Sequence, residues 1–265
     1  MKKIFYFALL AIACVACSST RLDKGFVKLF NGKNWAGWYL KIRSGDSVMA
    51  NKVYAIEDGM VHVFNDNFPD SIELFTGVNA THGLFYADKE YSRFVFRFEY
   101  KWGKRVANDF DKWQYDAGFY YHVINDRIWP KGLEYQVRYN HLTNTNHTGD
   151  MWCNGTRFDW TCGEDKCYLP ESQGGVAQER RGGEHKAKAT SNFHGLDGEW
   201  NQCEVIVMGN KYAIHKLNGE VVNIGTNLSV DKGKIGLQSE TAEIYYRNIF
   251  IKEFDKDVPM EEFLK

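Results

Sequence analysis

Apolar and polar residues alternate with a period of two along most of the chain, and the 3.6-residue period of an amphipathic helix is almost absent. Alternating runs cover Phe26 to Phe30, Val53 to Ile56, Val61 to Phe64, Arg93 to Tyr100, Ala117 to Val123, Leu133 to Tyr139, Cys203 to Met208, Tyr212 to Leu217 and Ile244 to Ile251. Asp58-Gly59, Asn218-Gly219 and Gly209-Asn210 each separate two such runs, where a two-residue hairpin loop requires positive φ. The pattern predicts an all-β chain of short antiparallel strands, closed as a sandwich or a barrel. Pro259 to Lys265 reads as a short terminal helix.

The same period assigns faces. In Arg93 to Tyr100, Phe94, Phe96, Phe98 and Tyr100 share the core face, leaving Arg93, Val95, Arg97 and Glu99 on a wet one. Arg97 and Glu99 read as an exposed ion pair, unless that face is concave, in which case Glu99 joins a site. Other runs carry polar groups on a shared face: Tyr120 with His122 in Ala117 to His122, and Glu134 with Gln136 in Gly132 to Val137. Asp150-Met151-Trp152 follows in the same style. His, Glu and Gln among aromatic rings make a poor core and a candidate pocket. A carboxylate placed like Glu134 is predicted to be partly buried, and needs partners or a proton.

Asn154 to Gly198 has no clear period and is rich in glycine and charge. A segment so long inside a compact domain is functional or mobile, and it follows directly on the polar runs. Cys153, Cys162, Cys167 and Cys203 are expected to form at least one disulfide. The gaps of eight and four residues between the first three do not match the paired spacing of structural zinc.

At the start, Met1-Lys2-Lys3 and the apolar run Ile4 to Ala13 have the form of a bacterial export signal, too short for a membrane span. Val15-Ala16-Cys17-Ser18-Ser19 reads as a lipobox with Cys17 as the lipidated residue, and Ala11 to Cys14 is a less fitting alternative. The reading divides the chain into a signal at 1–16, a tether at 17–25 and one domain at 26–265 with a long loop at about 154–198. Such a protein sits in the periplasm or at the outer membrane, held to the membrane by its lipid alone. Removing Lys2 and Lys3 takes the formal charge from −1 to −3, which offers nothing to nucleic acid.

Several motifs, taken in order, carry a family resemblance: Phe30 to Trp38, Ile56-Glu57-Asp58-Gly59, Ala117 to His122, Trp129 to Val137, Thr148 to Trp152, Gly198-Glu199-Trp200-Asn201, Leu217-Asn218-Gly219, and Ile235 to Gln238 with Arg247-Asn248-Ile249. The chain resembles the DUF1080 family, the 3-keto-disaccharide hydrolases, over roughly residues 26 to 253. The resemblance implies a concanavalin-A-like jelly-roll sandwich of two antiparallel sheets, acting on a glycoside whose sugar is oxidised at carbon 3. Asp116-Ala117-Gly118 departs from the Asn-Ser-Gly common in that family.

A ketone at carbon 3 makes the hydrogen on carbon 2 acidic and places the leaving oxygen on carbon 1 β to the carbonyl. A base then breaks the bond by elimination, and water addition makes the net result a hydrolysis. His122 and Glu134 are the candidate catalytic residues, and also the candidate ligands of one divalent metal of unspecified identity, with Gln136 as a further oxygen donor. Tyr120, Trp152, Asp150, Trp129, Gln136 and Glu99 are the candidate contacts to an oligosaccharide or glycoside. The alternatives are a hydrogen-bonded His122–Glu134 pair without catalytic role, a non-catalytic carbohydrate-binding lipoprotein, and an ordinary glycoside hydrolase with paired carboxylates. The last lacks its familiar Glu-x-Asp-x-x-Glu run, since Glu253-Phe254-Asp255 continues to Val258.

Overall fold

The computed structural model describes residues 23–68 and 80–265. The export signal, Cys17 and most of the tether lie outside the described residues. The strands are β1 (Val27–Lys28), β2 (Trp38–Ile42), β3 (Tyr54–Glu57), β4 (Met60–Val63), β5 (Gly83–Tyr91), β6 (Arg93–Val106), β7 (Tyr115–Val123), β8 (Gly132–Asn140) and β9 (Thr145–Asn146). They continue as β10 (Met151–Asn154), β11 (Thr161–Cys162), β12 (Val176–Ala177), β13 (Gly183–His185), β14 (Asn201–Met208), β15 (Tyr212–Leu217), β16 (Glu220–Thr226), β17 (Gly233–Ser239) and β18 (Ala242–Glu253). Two short helices, α1 (Ser47–Val53) and α2 (Phe110–Trp113), interrupt them.

One large sheet runs β16-β15-β14-β6-β18-β4-β3, with β1 on β18; the other runs β13-β10-β8-β7-β17-β5-β2, with β9 on β8. Pairing within both is antiparallel. Facing each other, they form a jelly-roll sandwich. The core between them is aromatic: Phe96 of β6 stacks on Phe119 of β7 with centroids 4.1 Å apart, and Phe98 meets Tyr135 of β8 edge-on. Phe94, Phe96, Phe98 and Tyr100 all point into this core, as their spacing predicts.

Asp58-Gly59 and Asn218-Gly219 have positive φ at both positions and close the β3–β4 and β15–β16 hairpins. The first half of β5, Gly83 to Ala87, and nearly all of β17 escape the alternation test because both of their faces are covered there. The tail forms a single 3-10 turn at Met260–Phe263.

The long loop is ordered without a disulfide. Cys153, Cys162, Cys167 and Cys203 are all free thiols, which corrects the expected bridge. Aromatic anchors take its place: Phe158 and Trp160 are buried in the main core, and the Trp160 indole donates to Asn223 Oδ1 at 2.8 Å. Asp159 and Thr226 exchange backbone hydrogen bonds of 2.7 and 3.0 Å. Cys203 lies on β14 just past the end of the loop, facing the inter-sheet core and desolvated there, which pushes its thiol up.

Candidate active site

The outward face of the β13-to-β2 sheet carries the polar residues. Register aligns Glu184 with Trp152, Trp152 with Glu134, and Glu134 with Tyr120 across β13, β10, β8 and β7. One step along, Gln136 opposes Gly118, and Arg138 opposes Asp116. Trp152, Glu134, Tyr120, Gln136, Arg138 and Asp116, with Gln238 and Glu240 at the end of β17, line a cavity of about 340 Å3 that Trp129 and Lys112 and Trp113 of α2 also border, and Glu184 stays outside it. A second lobe of about 290 Å3 adjoins it, lined by Cys153, Asn154 and Gly183. Tyr120, Trp129, Glu134 and Trp152 line both lobes and form the neck between them.

Gly118 makes this arrangement possible. A Cβ there would lie 2.2 Å from Glu134 Oε1 and 2.9 Å from Gln238 Oε1, so the absent side chain is the space in which the carboxylate rests. Gln136 donates from Nε2 to Asp116 Oδ1 at 2.5 Å and to the Ala117 carbonyl at 2.9 Å. The Tyr120 hydroxyl is hydrogen-bonded to Glu134, and the Trp129 indole to Glu240. Gln238 Oε1 and Trp152 Nε1 are buried with no partner, and such groups are ready to meet a polar ligand.

Four carboxyls line this cavity, the partly exposed Asp109 and the buried Asp116, Glu134 and Glu240. Burial first, then the charge of Glu240, raises Glu134 to about 8. Glu240 is raised by burial to about 7, with Arg138 and the Trp129 hydrogen bond opposing the shift. Asp116 is pushed well up by burial and by Glu240. Near neutral pH these two buried carboxyls, Glu134 and Glu240, compete for protons, so one can carry a proton while the other is ionised.

His122 is not part of it. Val123 pairs with Lys234 and Tyr120 with Gly236, so Tyr121 and His122 together oppose the single residue Ile235. This β-bulge, with φ of 49° at His122, breaks the period of two and turns the imidazole into the core. There it meets Phe94 edge-on, its Nε2 lies 3.3 Å from the Ser92 carbonyl, and burial depresses it to about 4. The expected convergence of His122 with Glu134 is therefore corrected, and with it the metal site: side chains leaving the sheet in different directions cannot chelate one ion.

Glu99 is corrected as well. It lies on the outer face of the opposite sheet, where Arg247 Nε donates to it at 2.7 Å. Arg97 pairs instead with Asp23 and Glu204. Asp150 stands beside the pocket rather than in it. It accepts from Ala187 N at 2.6 Å and from His147 Nδ1 at 3.2 Å, and lies 3.9 Å from the Arg138 guanidinium, which also binds Glu184. His147, Asp150 and Glu184 are the one group of three converging metal-type donors among the described residues, and Arg138 already supplies their positive charge.

Of the sequence candidates, the structure thus brings together Glu134, Gln136, Tyr120, Trp152 and Trp129. It adds Asp116, Gly118, Arg138, Gln238 and Glu240. The signal for the last two was present in the alternation Gly236, Gln238, Glu240, which continues one face past the end of the Ile235 to Gln238 motif.

The fold and this cleft define a jelly-roll protein with a buried carboxyl pair, a class that serves both sugar binding and sugar cleavage. Residues 25–252 match the family model described as the 3-keto-alpha-glucoside-1,2-lyase-like domain. The chain belongs to this family, and so to a group of carbohydrate-processing domains. Among solved structures it is similar to two from Parabacteroides distasonis, each described as a candidate glycosyl hydrolase. One is 21% identical, covering 87% of this chain and 94% of that one with a TM-score of 0.50. The other is 17% identical, covering 86% and 99%, with a TM-score of 0.52. A search of curated proteins found no match.

Proposed function

We propose that the protein cleaves 3-keto-glycosides by elimination, with rehydration giving net hydrolysis. The observation that carries this reading is Glu134, protonated near neutral pH, at the neck between two lobes, with Glu240 confined to the first lobe. Family membership supports the substrate class. In this arrangement the oxidised sugar occupies the polar first lobe and the leaving group the second, so the scissile bond lies beside Glu134.

Glu240 takes the hydrogen from carbon 2, and the C–H electrons form the enolate of the carbon-3 ketone. Collapse of that enolate makes the carbon 1–carbon 2 double bond and breaks the bond from carbon 1 to the leaving oxygen, which receives the Glu134 proton. The positive charge of Arg138 stabilises the enolate. The two carboxyls have now exchanged protonation states. Glu134, ionised, activates water for attack at carbon 1, and Glu240, after exchanging the abstracted proton with solvent through the open cleft, protonates carbon 2, restoring both. No oxocarbenium-like state is needed.

The test is release of the leaving group from a 3-keto-glycoside and from its unoxidised parent. Cleavage of the first alone is expected. Equal cleavage of both would replace this reading with that of an ordinary glycosidase using the same carboxyls, and binding without cleavage with that of a lectin-like module.

A further inference from the structure

We infer that the second lobe accommodates a flat, largely apolar leaving group, a phenolic ring, rather than a second sugar. This rests on the proposed function, which places the leaving group there. A pyranose presents hydroxyls all around its rim, and a site for one must offer several uncommitted donors and acceptors. The first lobe comes nearer to this, with Gln238 Oε1 lacking any partner and the carboxyl oxygens of Asp116 and Glu240 able to take further bonds.

The second lobe does not. Asn154 Nδ2 is already committed to the carbonyls of Trp129 and Pro130, at 3.1 and 3.0 Å. Cys153 Sγ is directed to the Arg181 carbonyl at 3.2 Å. Gly183 has no side chain, and a Cβ there would lie 3.6 Å from Arg181 Nη1 and 3.9 Å from the Trp152 ring, with Arg181 Nη2 committed to the Glu184 carbonyl. The Tyr120 hydroxyl is taken by Glu134, so what remains for the leaving group are two indole faces and the one proton of Glu134. One donor suits a single oxygen on or beside an aromatic ring. Trp129 is held in place by Asn154, by edge contact with His82 at 4.9 Å and by Arg43 over its face at 4.9 Å, so the platform is ordered before a ligand arrives.

Unoxidised glycosides separate binding from chemistry. Calorimetric titration of the protein with phenyl glucoside and with a glucose disaccharide should show the phenyl compound about tenfold tighter, as one aromatic contact implies. Trp152→Ala should abolish that preference, and Trp152→Phe should retain most of it, with circular dichroism confirming that both variants fold. Equal or tighter binding of the disaccharide, binding of neither compound, or a preference that survives Trp152→Ala would overturn the inference. Cleavage of either unoxidised compound would instead overturn the elimination reading while leaving the binding preference to stand or fall by itself.

Discussion

At the residue scale the decisive feature is Glu134, a carboxyl whose face was legible from a two-residue period but whose partner was not. Glu240 lies more than a hundred positions along the chain and meets Glu134 only through the order of β8, β7 and β17, which no local pattern encodes. If Glu134 is the acid and Glu240 the base, kcat/KM should follow a bell, rising through about 7 and falling through about 8. Glu134→Gln should lower kcat about 10²- to 10⁴-fold and erase the alkaline limb. The same residue sets a stability signature. Its folded value lies above its unfolded one, so the contribution is fully present below about 4.5 and is lost as pH rises through about 8. Melting temperature should therefore fall less between these limits in Glu134→Gln than in the wild type; a variant that melts earlier at every pH would contradict the burial described here.

At the element scale the sandwich was readable because most strands have one covered face, and alternation reports that directly. It failed at two kinds of place. Stretches covered on both faces, the first half of β5 and nearly all of β17, give no alternation to read. Where a bulge inserts a residue, as at His122, the period continues in sequence while the side chain leaves the face. The sign of a face is also invisible: the wet side of β6 was readable, but not that it belongs to the sheet without the pocket, and so Glu99 was misplaced. His122→Asn, which tolerates the positive φ, should lower thermal stability and leave the shape of the activity–pH profile unchanged. Loss of the alkaline or acid limb in that variant would return His122 to the chemistry. Gly118→Ala should do the opposite. Displacing the Glu134 carboxylate by the 2.2 Å clash should cost on the order of 10²-fold in kcat/KM, the usual penalty for a misplaced catalytic group, with circular dichroism unchanged.

At the scale of the whole molecule, two sheets enclose an aromatic core, and a long loop closes one end of the site. Because Phe158 and Trp160 pin that loop and the four cysteines among the described residues are free, reductant should leave the melting curve unchanged, and alkylation after denaturation without reductant should label Cys153, Cys162, Cys167 and Cys203. A shift on reduction would show a bridge. The export signal and Cys17 are proposals of the sequence alone, and labelling with a fatty-acid analogue in cells, lost in Cys17→Ala, is the result that reading expects.

The central claim is that carbon–oxygen cleavage begins with removal of the proton on carbon 2. Reaction of a 3-keto-glycoside in deuterated water, followed by NMR of the hydrated product, tests it most directly. The account expects deuterium at carbon 2 in the wild type, with incorporation abolished in Glu240→Gln. Complete cleavage with carbon 2 still carrying its original hydrogen would contradict it.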